Sequence, residues 1–193
     1  MAELIVDFIT SLDGYAAAEG WPGLWGKGGP EYSAWLEKQP EADYTILMGA
    51  NTYRLMSKLT EAGEPGTDNL TKLSTVVFSS TLPGPLKWPN AKLVSEDPVR
   101  VVREMKATAK KSMRTLGSLA LCRSLLQARL VDRFRVVVFP VITGSSGRQR
   151  IYDGYPDVDL RMTASRTFDG RLQLVEYVPT TLTGPPEQKK ASP

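Results

Sequence analysis

Three times along this chain, a short run of apolar and β-branched residues ends at a small or polar residue, and an amphipathic helical pattern follows. These strand–helix pairs occupy residues 44–59, 91–111 and 113–128, and Asn51 and Asp97 stand where helix N-caps are expected. A strand that continues into a helix usually returns to the same sheet as a parallel neighbour. The pattern therefore predicts an α/β fold with a mostly parallel central sheet and helices on both of its faces.

The C-terminal part of the chain has a different pattern. Two predicted strands, at about 160–168 and 171–178, flank the dipeptide Asp169-Gly170, which is a strong signal for a tight β-hairpin. We therefore expect an antiparallel hairpin at the edge of the sheet. A single domain is predicted over residues 1–179, and the Pro-, Gly-, Lys- and Ser-containing tail at 180–193 is predicted to be disordered.

The composition excludes several classes of protein. The 193 residues include no histidine and one cysteine, Cys122. Without histidine there is no Ser-His-Asp or Cys-His catalysis and no histidine-ligated zinc site, and a single thiol cannot form an internal disulfide. No apolar run approaches the roughly 20 residues of a membrane span, and the N-terminal segment lacks the basic region of a signal peptide. We expect a cytoplasmic protein without a metal site or a membrane partner.

Charge is unevenly distributed along the chain. Residues 1–70 carry 4 basic and 11 acidic side chains, whereas residues 99–150 carry 12 basic and 2 acidic ones. Solvated helix faces would account for many of these charges. The basic stretch has no nucleic-acid motif and no interleaved aromatic residues, so nucleic acid is not favoured as a partner. A phosphorylated small molecule or a dinucleotide fits the pattern better, because it needs only a few positive groups and a helix start.

Small and polar residues follow three of the predicted strands at the point where each strand ends. The segments are Gly117, Ser118, Leu119 and Ala120 after one strand, in which only Leu119 is large and apolar, Gly49, Asn51 and Thr52 after a second, and Ser79 and Ser80 after a third. Free N–H groups at a helix start bind anions, and ligands of open α/β sheets lie beyond the carboxyl ends of the strands. Ordinary turns and caps use the same residue types, so that interpretation also stands. A Rossmann fingerprint is absent from the sequence.

Asp7 is the most unusual residue of the chain, because it lies in the middle of the predicted buried strand at 4–10. A charge in such a strand is costly unless it is paired or has a function. Asp7 either points to solvent or is a carboxylate that hydrogen-bonds a polar ring in a cleft.

Several motifs occur in a fixed order between residues 3 and 178. They are Ser11-Leu12-Asp13-Gly14, Leu47-Met48-Gly49-Ala50-Asn51-Thr52-Tyr53, Val77-Phe78-Ser79-Ser80, Leu116-Gly117-Ser118, Leu130-Val131-Asp132-Arg133-Phe134, and Pro140-Val141-Ile142-Thr143-Gly144 with Gly147. In order and spacing they resemble the dihydrofolate reductase fold family. The resemblance is closer to the branch that contains the C-terminal reductase domain of the bacterial riboflavin-biosynthesis deaminase/reductase.

This resemblance implies a dihydrofolate reductase-like three-layer α/β/α fold and a nicotinamide-dependent reductase that usually uses NADPH. It also implies a set of site residues. Those near the cofactor would be Gly49, Asn51 and Thr52 at the phosphates, Ser79 and Ser80 near the adenosine, Gly117, Ser118, Leu119 and Ala120 under the pyrophosphate, and Ile9 and Thr10 near the nicotinamide. Asp7 would face the substrate ring. Members of this branch commonly form homodimers, and the strand before Pro140 and the late hairpin are the expected contacts.

Two departures from the family pattern affect the predicted specificity. Ala50 stands where the family often has an arginine for the 2′-phosphate, so NADH is possible as well as NADPH, and Arg54 is a candidate replacement. Dihydrofolate reductases carry an acidic residue on the first helix, three residues before an aromatic one. With Trp35 as that aromatic, the acidic position is Tyr32, and Glu31 is one step away. Another heterocycle or a carbonyl is therefore favoured over folate.

The leading hypothesis is an NAD(P)H-dependent reductase that transfers hydride to a small heterocyclic or carbonyl substrate, similar to 5-amino-6-(5-phosphoribosylamino)uracil reductase domains. A proton must also be delivered, and the candidates are Asp7, Glu31, Tyr32, Asp13 or a held water. Dihydrofolate reduction is the first alternative. The second is a non-catalytic dinucleotide-binding protein that has kept a reductase fold.

Overall fold

The computed structural model describes residues 1–38, 43–64, 67 and 69–185, and this part of the chain contains ten strands and four α-helices. The strands are β1 (Leu4–Ser11), β2 (Tyr15–Ala18), β3 (Thr45–Gly49), β4 (Thr75–Phe78), β5 (Ala91–Val94), β6 (Met113–Thr115), β7 (Arg133–Phe139), β8 (Gly147–Arg150), β9 (Val158–Phe168) and β10 (Leu172–Thr181). The helices are α1 (Pro30–Glu37), α2 (Ala50–Glu61), α3 (Pro98–Thr108) and α4 (Leu119–Gln127).

Eight of the strands form one sheet in the order β5-β4-β3-β6-β1-β7-β10-β9. The pairings from β5 through to β7 are parallel, and β10 is antiparallel to both β7 and β9. The predicted mostly parallel sheet with an antiparallel C-terminal hairpin is therefore confirmed. β1 lies inside the sheet, where Leu4 pairs with Met113 of β6 and Asp7 pairs with Arg135 of β7.

The side chains of β1 alternate between two faces of the sheet. Leu4, Val6 and Phe8 share a core cluster with Val102 of α3 and Leu125 of α4. We call this side the α4 face. It is a closely packed apolar layer, because both helices place their apolar stripes on it.

Ile5, Asp7 and Ile9 point to the opposite side, which we call the α1 face. Tyr32 and Trp35 of α1 cluster there with residues of β7 and β10, and Tyr53 of α2 clusters with residues of β3. The sheet is thus the middle of three layers, as the resemblance implied.

Two helix starts show how local sequence sets the element bounds. α3 begins after Asp97, whose side chain accepts the N–H of Arg100 at 2.8 Å, so this predicted cap is confirmed. The prediction that Asn51 caps α2 is wrong. β3 continues directly into α2, with Gly49 as the N-cap residue, and Asn51 already lies inside the first turn.

The small sheet formed by β2 and β8 was not indicated by the sequence. Its strands pair antiparallel, with Tyr15 opposite Arg150 and Ala18 opposite Gly147. Each strand has only four residues. A segment of that length is too short to show the alternation that identifies a strand.

The predicted C-terminal hairpin is present. Asp169 and Gly170 have φ values of 50° and 63°, as a turn with two left-handed central residues requires. β10 extends to Thr181, and the Leu182 N–H donates to Asp157 O at 2.8 Å. Residues 186–193 of the predicted disordered tail lie outside the described residues.

Candidate active site

The carboxyl ends of the parallel strands bring the predicted cofactor residues to one edge of the sheet. β3 lies between β4 and β6, with Gly49 opposite Phe78 and Leu47 opposite Thr115. The turn after β6 therefore lies beside the start of α2, and Ser79 follows β4 on the other side. This edge is where ligands of open α/β sheets bind.

Two of these strand ends are joined by direct hydrogen bonds. The Gly49 N–H donates to the Ser118 hydroxyl at 2.7 Å, and this hydroxyl donates to Thr52 Oγ1 at 2.9 Å. Gly117 and Ser118 have φ values of 55° and 63°. A serine in this left-handed region is uncommon, and here its side chain links the turn to the neighbouring helix start. The structure thus brings Gly49, Thr52, Gly117 and Ser118 together.

The start of α4 presents main-chain N–H groups that no other protein atom uses. Within the part of the chain that the structure describes, Gly117, Ser118, Leu119 and Ala120 have no acceptor for their main-chain N–H groups. A Cβ atom at Gly117 would lie 3.3 Å from Thr52 Oγ1, so only glycine leaves this approach open. Free N–H groups at a helix start favour a negatively charged group. This arrangement fits the diphosphate of a dinucleotide.

Three further predicted cofactor residues lie at the same edge, and two of them already have local partners. The Asn51 side chain accepts a hydrogen bond from Arg54 at 3.1 Å. The Ser79 hydroxyl accepts the N–H groups of Thr81 and Leu82 at 3.2 and 3.0 Å. Ser80 is exposed. Their roles at the phosphates and the adenosine stay predictions.

A row of charged side chains crosses the α1 face of the sheet, and we call it the ionic row. Its members, on successive strands, are Arg114 of β6, Asp7 of β1, Arg135 of β7 and Glu176 of β10. Asp7 forms an ion pair with Arg114 and lies 3.5 Å from one guanidinium nitrogen of Arg135. Another guanidinium nitrogen of Arg135 lies 2.9 Å from Glu176. Asp7 is therefore a member of a buried ion pair, and it does not point to bulk solvent.

The outer end of the ionic row reaches the surface. Arg133 lies 2.6 Å from Glu176 and 3.1 Å from Glu3. Burial by itself would raise the pKa of Glu176, but hydrogen bonds from Arg133 and Arg135 lower it below its usual value. The row thus pairs its charges from strand to strand across the sheet.

Aromatic rings cover the inner end of the ionic row. The Arg114 guanidinium lies 5.3 Å from the ring centroid of Tyr44, and that of Arg135 lies 5.4 Å from the Trp35 ring, as in cation–π contacts. Tyr32 is 3% exposed. Burial raises the pKa of Tyr32. The negative charge of Asp7 raises this pKa further, while the positive charges of Arg114 and Arg135 oppose the rise. These charges therefore affect the ionisation of the Tyr32 hydroxyl, which stays protonated at neutral pH.

The structure separates Glu31 from Tyr32. Glu31 accepts the main-chain N–H of Asp169 in the hairpin turn at 2.5 Å and is exposed. Tyr32 lies close enough to Asp7 for the Asp7 charge to affect its pKa, whereas Glu31 is exposed. Ile9 lies two residues beyond Asp7 on the α1 face, and the Thr10 hydroxyl donates within its own turn to Ser11 O at 3.0 Å.

Sequence reasoning missed the two arginines of the ionic row. Arg114 and Arg135 lie inside apolar strands, as Asp7 does. The signal that singled out Asp7 was therefore present at both positions. A search of all predicted strands for charged residues within apolar runs would have predicted an ion pair between neighbouring strands.

The described ranges contain neither a metal-ligand cluster nor a candidate membrane span. No group of three or more carboxylate or thiol side chains there is placed to hold a metal ion. Among the same residues, no helix has the length and apolar character that crossing a bilayer requires.

Solved structures with this fold come from several bacteria. A protein from Shewanella sp. PV-4, described as a putative riboflavin biosynthesis protein, is 20% identical with a TM-score of 0.69, covering 93% of this chain and 99% of that chain. A pyrimidine reductase-like protein from Corynebacterium diphtheriae is 15% identical with a TM-score of 0.64, covering 93% and 92%. These similarities confirm the fold.

A third structure, from Thermotoga maritima, belongs to a longer protein. It is described as a diaminohydroxyphosphoribosylaminopyrimidine deaminase/5-amino-6-(5-phosphoribosylamino)uracil reductase. It is 17% identical with a TM-score of 0.65, and the match covers 93% of this chain but 57% of that one. No curated protein sequence matches this chain significantly. The profile of the RibD C-terminal domain family matches residues 2–174. The chain therefore belongs to the RibD C-terminal domain family, as the motifs had suggested.

Proposed function

We propose that this protein is an NADPH-dependent reductase that transfers hydride to a small polar heterocycle of the aminouracil type. The observation that carries the proposal is the row of free N–H groups at Gly117–Ala120, held against Thr52 and Gly49. Membership of a reductase domain family supports the same conclusion. The relative from Thermotoga maritima is described as an aminouracil reductase, and this description supports the proposed substrate class.

The chain's own residues would divide the work between two regions. The start of α4 and Thr52 would hold the diphosphate of the cofactor by hydrogen bonds and the helix dipole. The carboxyl end of β1, with Ile9 and Thr10, would border the nicotinamide, which supplies the hydride when it is bound. The substrate ring would lie on the α1 face beside the inner end of the ionic row. The protein would thus align the two reactants and exclude water.

Among the proposed proton donors, the geometry favours Tyr32. Glu31 bonds to Asp169, and Asp13 accepts the N–H groups of Thr143 and Gly144 at 3.1 and 2.9 Å. The Tyr32 side chain is buried, and its hydroxyl lies close enough to Asp7, Arg114 and Arg135 for their charges to affect its pKa. This hydroxyl would donate to a ring nitrogen or carbonyl oxygen of the substrate. Asp7 and Arg114 would form a charged pair at a fixed position beside the Tyr32 hydroxyl.

A cofactor titration followed by a turnover assay tests the proposal. NADPH and NADH are titrated while nicotinamide fluorescence is recorded, and NADPH oxidation is then followed with 5-amino-6-(5-phosphoribosylamino)uracil or dihydrofolate. We expect saturable NADPH binding and turnover of the aminouracil compound. Turnover of dihydrofolate alone would identify the first alternative. Binding without any turnover would favour the non-catalytic alternative, and no binding of either nucleotide would refute the proposal.

The choice between NADPH and NADH is the finer part of this proposal. Ala50 supplies no charge at the start of α2, and Arg54 is the nearby cation, held by Asn51 at 3.1 Å. We propose that Arg54 serves the 2′-phosphate. Arg54→Ala should then reduce the preference for NADPH over NADH, and an unchanged preference would exclude Arg54 from this role.

We also propose that the protein forms a homodimer, through β9. β7 lies between β1 and β10, so the strand before Pro140 has no free edge, whereas β9 ends the sheet and is exposed along most of its length. Pairing of two β9 strands centred on Leu160 would set Asp159 opposite Arg161 of the other copy. Light scattering should show a dimer for the wild type and a monomer for Leu160→Lys. A monomeric wild type would refute this arrangement.

A further inference from the structure

The turn of the C-terminal hairpin closes the N-terminal end of α1, although the two are far apart in sequence. Both oxygens of the Asp169 carboxylate are used: one accepts the Glu31 N–H at 3.1 Å and the other accepts the Tyr32 N–H at 3.3 Å. Pro30 has no N–H, and the Ser33 N–H donates to Gly29 O at 3.0 Å. The free N–H groups of the first turn of α1 are therefore all accounted for, and Asp169 takes two of them.

The contact is reciprocal and sterically close. The Glu31 carboxylate accepts the Asp169 N–H, so each acidic residue accepts a main-chain N–H from the other's segment. This is the logic of a capping box, divided between two distant segments. A Cβ atom at Gly29 would overlap the Asp169 carboxyl group. Gly29 therefore serves to admit Asp169, and a side-chain cap from within α1's own segment is absent.

α1 carries the aromatic cover of the ionic row, so its position matters for the candidate site. The Tyr32 ring lies 6.0 Å from that of Trp35, 5.8 Å from Phe139 and 5.6 Å from Phe168, measured between centroids. Phe168 directly precedes Asp169. The hairpin thus holds Tyr32 twice, through its main-chain N–H and through its ring.

We propose that Asp169 is a positioning residue, which fixes α1 and thereby sets the Tyr32 hydroxyl over the Asp7–Arg114 pair. This inference rests on the proposed function, since it assigns Tyr32 to the substrate side of the site. Asp169 itself touches neither reactant. Its effect is confined to substrate alignment, because the proposed diphosphate site at the start of α4 lies at a different part of the sheet edge.

Two substitutions separate the cap from the turn. Asp169 has a φ of 50°, which glycine and asparagine both tolerate. Asp169→Gly removes the cap and keeps the turn, and Asp169→Asn keeps one oxygen acceptor without the charge. The matched control is Asp97→Gly, which removes the comparable cap from α3 on the α4 face.

Amide hydrogen exchange and steady-state kinetics give the expected results. In Asp169→Gly, the Glu31 and Tyr32 N–H groups should exchange about tenfold faster. Turnover with the aminouracil compound should fall about tenfold or more through kcat or KM, with NADPH affinity unchanged. Asp169→Asn should recover part of the loss. Asp97→Gly should leave kcat and KM near the wild-type values.

The outcomes that overturn the inference are distinct from failure of the proposed function. Unchanged exchange at Glu31 and Tyr32 would show that the cap is absent. If Asp169→Gly and Asp97→Gly change kcat and KM equally, the role of Asp169 is structural only and the positioning role is refuted. If the wild type has no activity, the proposed function fails, and the ring resonances of Tyr32 become the readout. Their displacement in Asp169→Gly only would support positioning, and unchanged resonances would refute it.

Discussion

The hydroxyl of Ser118 accepts the main-chain N–H of Gly49 at 2.7 Å, which ties the turn after β6 to the start of α2. The proposed diphosphate site is built on this link, because it holds Gly117 against Thr52. The free N–H groups at the start of α4 then face the edge of the sheet at a fixed distance from α2.

Gly117→Ala should weaken NADPH binding by more than about tenfold, because a left-handed residue with a Cβ atom is strained by roughly 1–2 kcal/mol and this Cβ would press on Thr52. Fluorescence titration measures the affinity. Gly63→Ala is the matched control, since Gly63 has a φ of +69° with nothing within 4 Å of an added Cβ. An unchanged affinity in Gly117→Ala would place the phosphates elsewhere.

Tyr32→Phe should lower turnover by about 10²-fold, the usual loss when a general acid is removed. The ring contacts with Trp35, Phe139 and Phe168 remain, so folding and NADPH affinity should be unchanged. Tyr152→Phe, at a residue 49% exposed, controls for loss of a hydroxyl. If Tyr32→Phe turns over at the wild-type rate, the proton donor is another group or water.

Asp7→Asn should destabilise the protein by about 3 kcal/mol, because it removes a largely buried negative charge that faces Arg114 and Arg135. Urea denaturation measures the change. The control is Asp43→Asn, since the Asp43–Lys111 pair is exposed, and surface pairs contribute less than about 1 kcal/mol. Equal effects of the two substitutions would contradict the burial of the ionic row.

Stability on the acid side should depend on Asp13. Hydrogen bonds from the Ser11 hydroxyl and from the N–H groups of Gly144 and Thr143 lower the pKa of Asp13 from 3.8 to about 2. A carboxyl group whose pKa is lower in the native state than in the unfolded state stabilises the fold at pH values above the unfolded-state pKa. This contribution is lost as the pH falls towards 2. Asp13→Asn should therefore flatten the decline in stability between pH 4 and 2. An identical pH profile for both proteins would exclude this contribution.

Cys122 should react slowly with iodoacetamide in the native protein. It is buried, its thiol donates to Gly117 O at 3.2 Å, and burial raises its pKa to about 12. Since labelling requires local opening beneath the Gly117 turn, NADPH should slow it further. Mass spectrometry of timed samples gives the rate, with urea-unfolded protein as the reactive reference. Labelling at the unfolded rate would contradict this packing.

The sheet could be predicted because its strands are short apolar runs that end at recognisable turns. The Asp169-Gly170 hairpin and the Asp97 cap depend on local chemistry, so the sequence alone was sufficient for both. β2 and β8 were not predicted because each strand is stabilised by pairing with the other, and neither has a local sequence pattern that indicates a strand. The N-cap of α2 was misplaced for a related reason, since the direct continuation of β3 into the helix made Gly49 the cap.

The candidate site was predictable only in part. Gly49, Thr52, Gly117 and Ser118 follow strands that turned out to be neighbours, so their assembly at one edge followed from the topology. The partners of Asp7 depended on which strands lie beside β1, and these are β6 and β7, more than 100 residues away along the chain. The link between Glu31 and Asp169 joins still more distant segments, and no local pattern encodes it.

The place of β1 in the strand order also bears on how the protein is made. β1 precedes both of its neighbours along the chain, which are residues 113–115 and 133–139. During synthesis this apolar strand therefore has no sheet partners until β6 and β7 have also left the ribosome. Such non-local pairing slows folding and leaves the nascent chain exposed to aggregation, so β1 is the segment that a chaperone would be expected to shield.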